Sequence, residues 1–288
     1  MDIAIIGAGR LGTCLGWALS RIGFRIKAIS SRKLSRARQS QKIIGQGKAT
    51  RSNVEASREA EIVFICTPDE EISKISEELA SSDIDWSKKI VIHSSGLLAS
   101  EVLNSLKEKG AYIGSFHPAQ SFPHKKPSLE QFRKIVYGLE GSREALSLSK
   151  KIVKKLEGHP LILKKEDKPL YHAACSIASN FFVVLLDLAI SLLRELGIKE
   201  EKASEIILPL LKGTLQNVID LKTSSALTGP LVRGEKSSIQ AHLKALEGHP
   251  LYLEIYLSLA KYALGMAKRE GILSLKKIKL LEDLLEDR

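Results

Sequence analysis

The first twelve residues constrain this chain more than any other stretch. A β-type run, Ile3–Ile6, leads straight into Gly7-Ala8-Gly9-Arg10-Leu11-Gly12, and a helix-period segment, Leu11–Ile22, follows at once. In a strand–turn–helix setting each glycine of this G-x-G-x-x-G spacing has a job. The first permits a tight turn, the second lets a pyrophosphate approach the backbone, and the third lets helix pack closely on strand. The helix start then offers free N–H groups and the positive end of a dipole to the phosphates. The competing reading is a glycine turn without a ligand. The strand before the motif and a second strand at the right distance favour a dinucleotide site.

Further strand-like runs are Arg25–Ile29, Ile62–Cys66, Ile90–His93, Tyr112–Phe116, Ile135–Leu139 and Leu161–Leu163. Helix-period segments lie between several of them: Leu34–Ile44, Glu70–Leu79, Ala99–Lys107 and Arg143–Leu156. Such alternation predicts an α/β Rossmann domain with a doubly wound parallel sheet. The pattern then changes to helix alone: Leu170–Leu196, Glu200–Leu221, Ser237–Leu246, Leu251–Arg269 and Leu273–Leu285. We place the boundary in the charged run Lys164–Lys168, giving a dinucleotide-binding domain over 1–165 and an all-α domain for substrate and dimerisation over 166–288. The segment Leu-Glu-Gly-His-Pro-Leu occurs at both 156–161 and 246–251. Gly followed by Pro after a helix is a stop signal, so the repeat reads as punctuation used twice.

The second strand ends in Ser30-Ser31-Arg32-Lys33, where NAD sites place a carboxylate for the ribose hydroxyls. Two hydroxyls and two cations suit a 2′-phosphate instead, and Arg32 can grip one in a fork. We therefore expect NADP; the alternative is that Arg32 and Lys33 simply begin a basic helix. Ligands gather at the carboxyl ends of such strands, which singles out Cys66-Thr67-Pro68 and Ser94-Ser95-Gly96 for the cofactor. His117 is assigned to substrate or proton supply. His93 reads as part of the strand-end turn.

Composition narrows the classes. The 288 residues include 44% hydrophobic ones, enough for a large buried core, and carry a formal charge of +11. The cations are scattered at helical spacing and form no nucleic-acid motif, so no nucleic-acid partner is expected. Cys14, Cys66 and Cys175 lie far apart, without C-x-x-C spacing, and no His/Cys cluster or H-E-x-x-H is present. Neither a metal nor a disulfide framework is expected, which fits a reducing, cytoplasmic compartment. No signal-peptide pattern precedes the first strand. Tyr171–Leu193 has the length of a membrane span, but it contains His172, Asn180 and Asp187. We read it as a helix buried on every side in a protein without a membrane partner.

Within that helix Lys168, His172, Ser176 and Asn180 are spaced by four and so drift slowly along one face. A reductase needs a proton supplier, and an imidazole with its ordinary pKa of ~6.5 suits the task. His172 and Lys168 are the candidate donors, with Asn180 orienting substrate or cofactor amide. A satisfied structural histidine and a helix-locking asparagine are the competing readings. In Thr228–Glu235, two glycines, a proline and paired charges suggest a built site. Arg233, with Glu235, is assigned to a substrate carboxylate, or else the pair caps the helix that follows.

Gly7–Gly12, His93–Gly96, Gly114-Ser115-Phe116-His117-Pro118, Tyr171-His172-Ala173-Ala174 with Ser179-Asn180, and Leu227-Thr228-Gly229-Pro230 with Arg233-Gly234-Glu235 occur in this order. Together they resemble a family of Rossmann-like proteins with a helical C-terminal domain of unknown function. That family is similar to ketopantoate reductase, pyrroline-5-carboxylate reductase, β-hydroxyacid dehydrogenases and deazaflavin-dependent NADP oxidoreductases. The resemblance implies NADP binding, a 6-phosphogluconate-dehydrogenase-like helical domain, a homodimer and ketopantoate reduction as one activity. Related dehydrogenases use a Lys and an Asn one turn apart; here Lys168 and Asn180 are three turns apart, so that pair does not transfer cleanly. The expected function is NADPH-dependent reduction of a small carbonyl compound, 2-oxo acids such as ketopantoate first. An imine reductase and a redox-sensing protein without turnover are the alternatives.

Overall fold

Residues 1–221 and 223–286 are described in the computed structural model of the chain. Two units emerge, Met1–Phe181 and Phe182–Arg288. In the first, the elements run β1 (Asp2–Ile6), α1 (Arg10–Arg21), β2 (Arg25–Ser30), α2 (Leu34–Ile44), β3 (Lys48–Thr50), α3 (Asn53–Arg58), β4 (Ile62–Ile65), α4 (Asp69–Ala80), β5 (Ile90–His93), α5 (Asn104–Glu108), β6 (Tyr112–Pro118), β7 (Val136–Gly141), α6 (Arg143–Lys155), β8 (His159–Ile162) and α7 (Lys168–Ser176). The strands form one sheet in the order β3-β2-β1-β4-β5-β6-β7-β8. The N-terminal half is thus the Rossmann-like parallel sheet that its sequence announces.

Strand β1 explains why these runs are continuously apolar. Ile3 and Ile5 enter a core with Leu15 and Leu19 of α1 and Ile152 of α6. Ala4 and Ile6 face the opposite core, with Ile72 and Leu79 of α4. Both faces are covered, so both sets of alternating side chains must be hydrophobic.

The sheet departs from the expected wholly parallel form at one place: β7 pairs antiparallel with β6, Phe116 opposite Leu139. The connection between them holds only a short 3-10 turn, Leu129–Gln131. A parallel return needs a crossover element; α6 provides one, and β8 is parallel to β7.

Strand does give way to helix near residue 165, but the first unit continues to Phe181, because α7 packs against the strand ends through Lys168 and Tyr171. A π-turn, Ile177–Phe181, follows α7 and leads into α8 (Phe182–Glu195). The second unit continues with α9 (Glu200–Leu221), α10 (Thr223–Ala226), α11 (Pro230–Arg233), α12 (Lys236–Leu246), α13 (Pro250–Arg269) and α14 (Leu275–Glu286). Ile239 and Leu243 of α12, Leu264 of α13 and Leu281 of α14 form its core.

The expectation of a helix buried on every side does not hold within one chain. Helix Lys165–Glu195 is long and apolar enough to cross a membrane, yet its apolar stretch is uncovered here. Helix α8 packs along α9, and both turn large side chains outward, including Val183, Val184, Leu210 and Ile219.

Candidate functional site

The loop after β1 has the expected geometry. Gly7 takes a φ of +104°, available to glycine without strain, and its N–H donates to the Ser30 carbonyl at 3.0 Å. A Cβ on Gly12 would stand 2.1 Å from the Gly7 carbonyl oxygen, whereas one on Gly9 would meet nothing within 4 Å. Gly12 therefore serves helix–strand packing, and Gly9 leaves its outer side open. Helix α1 starts with neither a side-chain cap nor an acidic residue in its first turn. Its free N–H groups and dipole are uncompensated and face a cleft. Helix α4 differs, carrying Asp69, Glu70 and Glu71 in its first turn.

That cleft, about 690 Å³, is lined by Gly7, Ala8 and Gly9, by Ser31, Arg32, Lys33 and Arg36, and by Cys66, Thr67 and Pro68. Among the described residues Thr67 Oγ1, buried there, has no hydrogen-bond partner. An orphaned hydroxyl beside an open helix start is what a phosphate-bearing ligand would complete. Burial pushes the Cys66 thiol up to about 12, so it stays protonated and inert beneath the loop.

At the far edge, Arg32 is 85% exposed and lies 4.0 Å from Glu71. The acid missing from the end of β2 is thus partly supplied by α4, a neighbour that the local sequence does not show. Ser30, expected at the cofactor, is wholly buried and donates its hydroxyl to Asn53 at 2.7 Å. Asn53 lines the cleft in its place. The helix that carries it, α3, was not foreseen.

A second cleft, about 410 Å³, shares Gly9, Cys66, Thr67 and Pro68 with the first. Arg10, Leu11, Ser94, Ser95, Gly96, His117 and His172 also line it. His93 lies behind: its Nδ1 accepts from the Ser95 N–H and its Nε2 lies 3.2 Å from the Ala99 carbonyl. Burial lowers its pKa to about 3, so it is a neutral turn-former, as its sequence context implied. The Ser95 hydroxyl donates to Asp69 at 2.8 Å and accepts from the Leu97 and Leu98 N–H groups. The rings of His117 and His172 meet edge to face, centroids 5.9 Å apart. Gly96 makes room for both, since a Cβ there would come within 2.7 Å of His172 and 2.9 Å of His117.

Two other expected residues take different places. Lys168 is 0% exposed; its Nζ donates to Ser115 Oγ at 2.6 Å and to the Ser95 carbonyl at 3.3 Å. It ties the loop after β5 to β6 and is not among the residues lining the cleft. Burial lowers its pKa to about 8, against the opposing pull of Glu140 and Asp69. Asn180 is exposed within the π-turn. The wider spacing of a π segment takes Asn180 off the face that spacing by four would share with Lys168 and His172.

In the second unit the Arg233 fork is closed on Glu235, at 2.5 and 3.1 Å. Glu235 also accepts from Ser238, and Lys277 donates to the Arg233 carbonyl. The paired charges therefore tie up the start of α12, which was the structural reading of this motif. Among the described residues no group of His, Cys, Asp and Glu could hold a metal ion.

Comparisons with known proteins agree with this architecture. Residues 1–118 match the model of a Rossmann-like domain, and residues 135–263 match the domain of unknown function DUF2520. No curated protein gives a significant match. Protein TM1727 from Thermotoga maritima is similar at 30% identity over 94% of this chain and 100% of its own, with a TM-score of 0.72. The putative NADP oxidoreductase BF3122 from Bacteroides fragilis is 25% identical over 91% of this chain and 97% of its own, TM-score 0.76. An imine reductase from Myxococcus stipitatus, solved with NADP+, shares the fold at 18% identity, covering 92% and 94% of the two chains with a TM-score of 0.63. The chain belongs to the family in which a Rossmann-like domain is followed by DUF2520.

Proposed function

We propose that this protein is an NADPH-dependent reductase of a small carbonyl compound, with 2-oxo acids such as ketopantoate as the first substrate class. The observation that carries the reading is the continuity of the two clefts. One presents an uncompensated helix start, an orphaned threonine hydroxyl and the cations Arg32, Lys33 and Arg36. The other presents two histidines, His117 near the end of β6 and His172 on α7. The similarity to a putative NADP oxidoreductase supports it.

Gly7, Gly9 and Thr67 would hold the pyrophosphate, with Gly12 letting α1 pack beneath it, and Arg32 with Lys33 would hold the 2′-phosphate. When bound, the reduced nicotinamide supplies a hydride. The chain's own residues position the carbonyl and supply the proton that completes the alcohol, with His172 as the donor. Arg10 lines the histidine cleft, and we assign it the substrate-carboxylate role; Arg233 is paired with Glu235 in the second unit.

The test is loss of reduced-nicotinamide absorbance against a panel of 2-oxo acids, ketopantoate foremost, and cyclic imines. NADPH is expected to be preferred over NADH, and Arg32→Ala to erase most of that preference. His172→Ala is expected to lower kcat roughly 100-fold or more. Turnover confined to imines would move the substrate class. Tight NADPH binding with no turnover would sink the reductase reading in favour of a redox sensor.

We also propose a homodimer, in which a second copy covers the outward apolar residues of α8 and α9. Contiguous apolar surface on this scale marks an interaction face. Sedimentation equilibrium is expected to give twice the chain mass. A monomer in aqueous buffer would refute the dimer.

A further inference from the structure

The structure assigns Tyr171 as a positioning residue: its hydroxyl fixes His117 in the tautomer that carries the ring proton on Nε2, so that an N–H donor points at the substrate's carbonyl or imine. Its part in catalysis rests on the reductase reading above; the tautomer itself does not.

The geometry begins with the His117 Nδ1, 3.0 Å from the Tyr171 hydroxyl. The two rings stand edge to face at 88° with centroids 5.6 Å apart. Space for the tyrosine comes from Gly138, directly opposite His117 in the β6–β7 pair. A Cβ there would lie 2.9 Å from the Tyr171 oxygen. On the other side of the imidazole, His117 has no hydrogen-bond partner for Nε2 among the described residues, and it lines the cleft with Gly96 and His172. One nitrogen is therefore committed inside the domain, and the other opens on the site.

Which nitrogen carries the proton follows from donor and acceptor strengths. Cys175, one turn along α7, also bonds the Tyr171 hydroxyl, and burial raises the tyrosine's pKa, so the phenol keeps its proton. That single proton can go to the imidazole nitrogen or to the thiol sulfur. An imidazole nitrogen is a good acceptor and a thiol sulfur a poor one. The phenol oxygen accepts from the Gly138 N–H and the Cys175 S–H, and the favoured order sends the Tyr171 O–H to His117 Nδ1. Nε2 then bears the ring hydrogen. Burial, then the neighbouring His172 and Lys168, lower the His117 pKa to about 4, so the ring is neutral at ordinary pH. A neutral imidazole polarises a carbonyl by donating a hydrogen bond while remaining uncharged. His117 is thus the polarising group, and His172 is left as the proton supplier.

Long-range proton–nitrogen correlation spectra of the isotopically labelled full chain test this without any substrate, His117→Gln identifying the signals. The expected result is a His117 ring protonated at Nε2 and bare at Nδ1, unchanged between about pH 5 and 8. Tyr171→Phe is expected to release it into a mixture of tautomers. On an accepted substrate, the same variant is expected to lose roughly 10-fold or more in kcat, as enzymes with a mis-set histidine tautomer do, with NADPH binding unchanged. A wild-type ring protonated at Nδ1, or a tautomer that Tyr171→Phe leaves untouched, would overturn the assignment. An Nε2–H ring in a protein that turns over nothing would instead uphold the tautomer and remove the reductase reading.

Discussion

Gly12→Ala is expected to abolish NADP(H) binding and to destabilise the N-terminal unit by about 3 kcal/mol, the upper range for an overpacked core. The added carbon would stand 2.1 Å from the Gly7 carbonyl oxygen and 3.0 Å from the Cys66 Cβ. Neither neighbour can retreat. Gly7 is held by its bond to Ser30 and by a positive φ, and Cys66 continues β4 through its N–H bond to the Ile6 carbonyl. Helix α1 must therefore lift away from β1 and carry the N–H groups after Gly9 out of line. Gly9→Ala is the matched control. It meets nothing within 4 Å, so the fold is expected to keep its stability while binding falls, because the new methyl group enters only the ligand's space. Denaturant titrations and NADPH fluorescence titrations of the two variants separate these effects. Normal cofactor affinity in Gly12→Ala would show that the loop does not hold the dinucleotide.

These two glycines were legible in the sequence because their roles depend on neighbours a few residues away. The same locality let helix α2 be read over Leu34–Ile44 and helix α9 over Glu200–Leu221, with the observed bounds. What escaped was either very short or set by distant residues. Strand β3 has three residues and helix α3 six, too few to show a period. The antiparallel β7 follows from a missing crossover, which is visible in the chain only as a connection without a strong helix pattern.

At the site, Thr67, Ser95, Gly96, His117 and His172 were found because polar residues at strand ends and on an apolar helix stand out. Tyr171 stood beside His172 in the sequence, but its role depends on Gly138 leaving a gap across the sheet. Asp69 reads as a helix-start acid until Ser95 is placed against it. Lys168 and Asn180 were grouped with His172 by their spacing, and a π-turn is a backbone event that spacing by four cannot foresee.

Lys168 separates a structural from a catalytic role by the pH dependence of stability. Its folded pKa, about 8, lies below the ordinary 10.5. Between those values the unfolded chain holds a proton that the folded chain has released, so stability rises with pH across that window. Below pH 8 both states are protonated, and the folded state bears the full cost of a buried ammonium at the start of a helix, where the dipole also disfavours a cation. The shift corresponds to about 3 kcal/mol as an upper bound. Lys168→Met removes the titration while filling the space. The difference in unfolding free energy between wild type and variant, from urea titrations, is expected to change by about 2–3 kcal/mol in favour of the wild type between pH 8 and 10.5. Lys89, whose pKa is also lowered by burial, cancels in that difference. Near neutrality the variant gains by losing a buried charge and loses the bonds to Ser115 and the Ser95 carbonyl, so the two proteins should differ little there. If Lys168 were the proton donor, Lys168→Met would abolish turnover. As a tie between the loop after β5 and β6 it should lower kcat far less than His172→Ala does. A flat difference curve combined with abolished turnover would return Lys168 to the active site and require the cleft to open toward it.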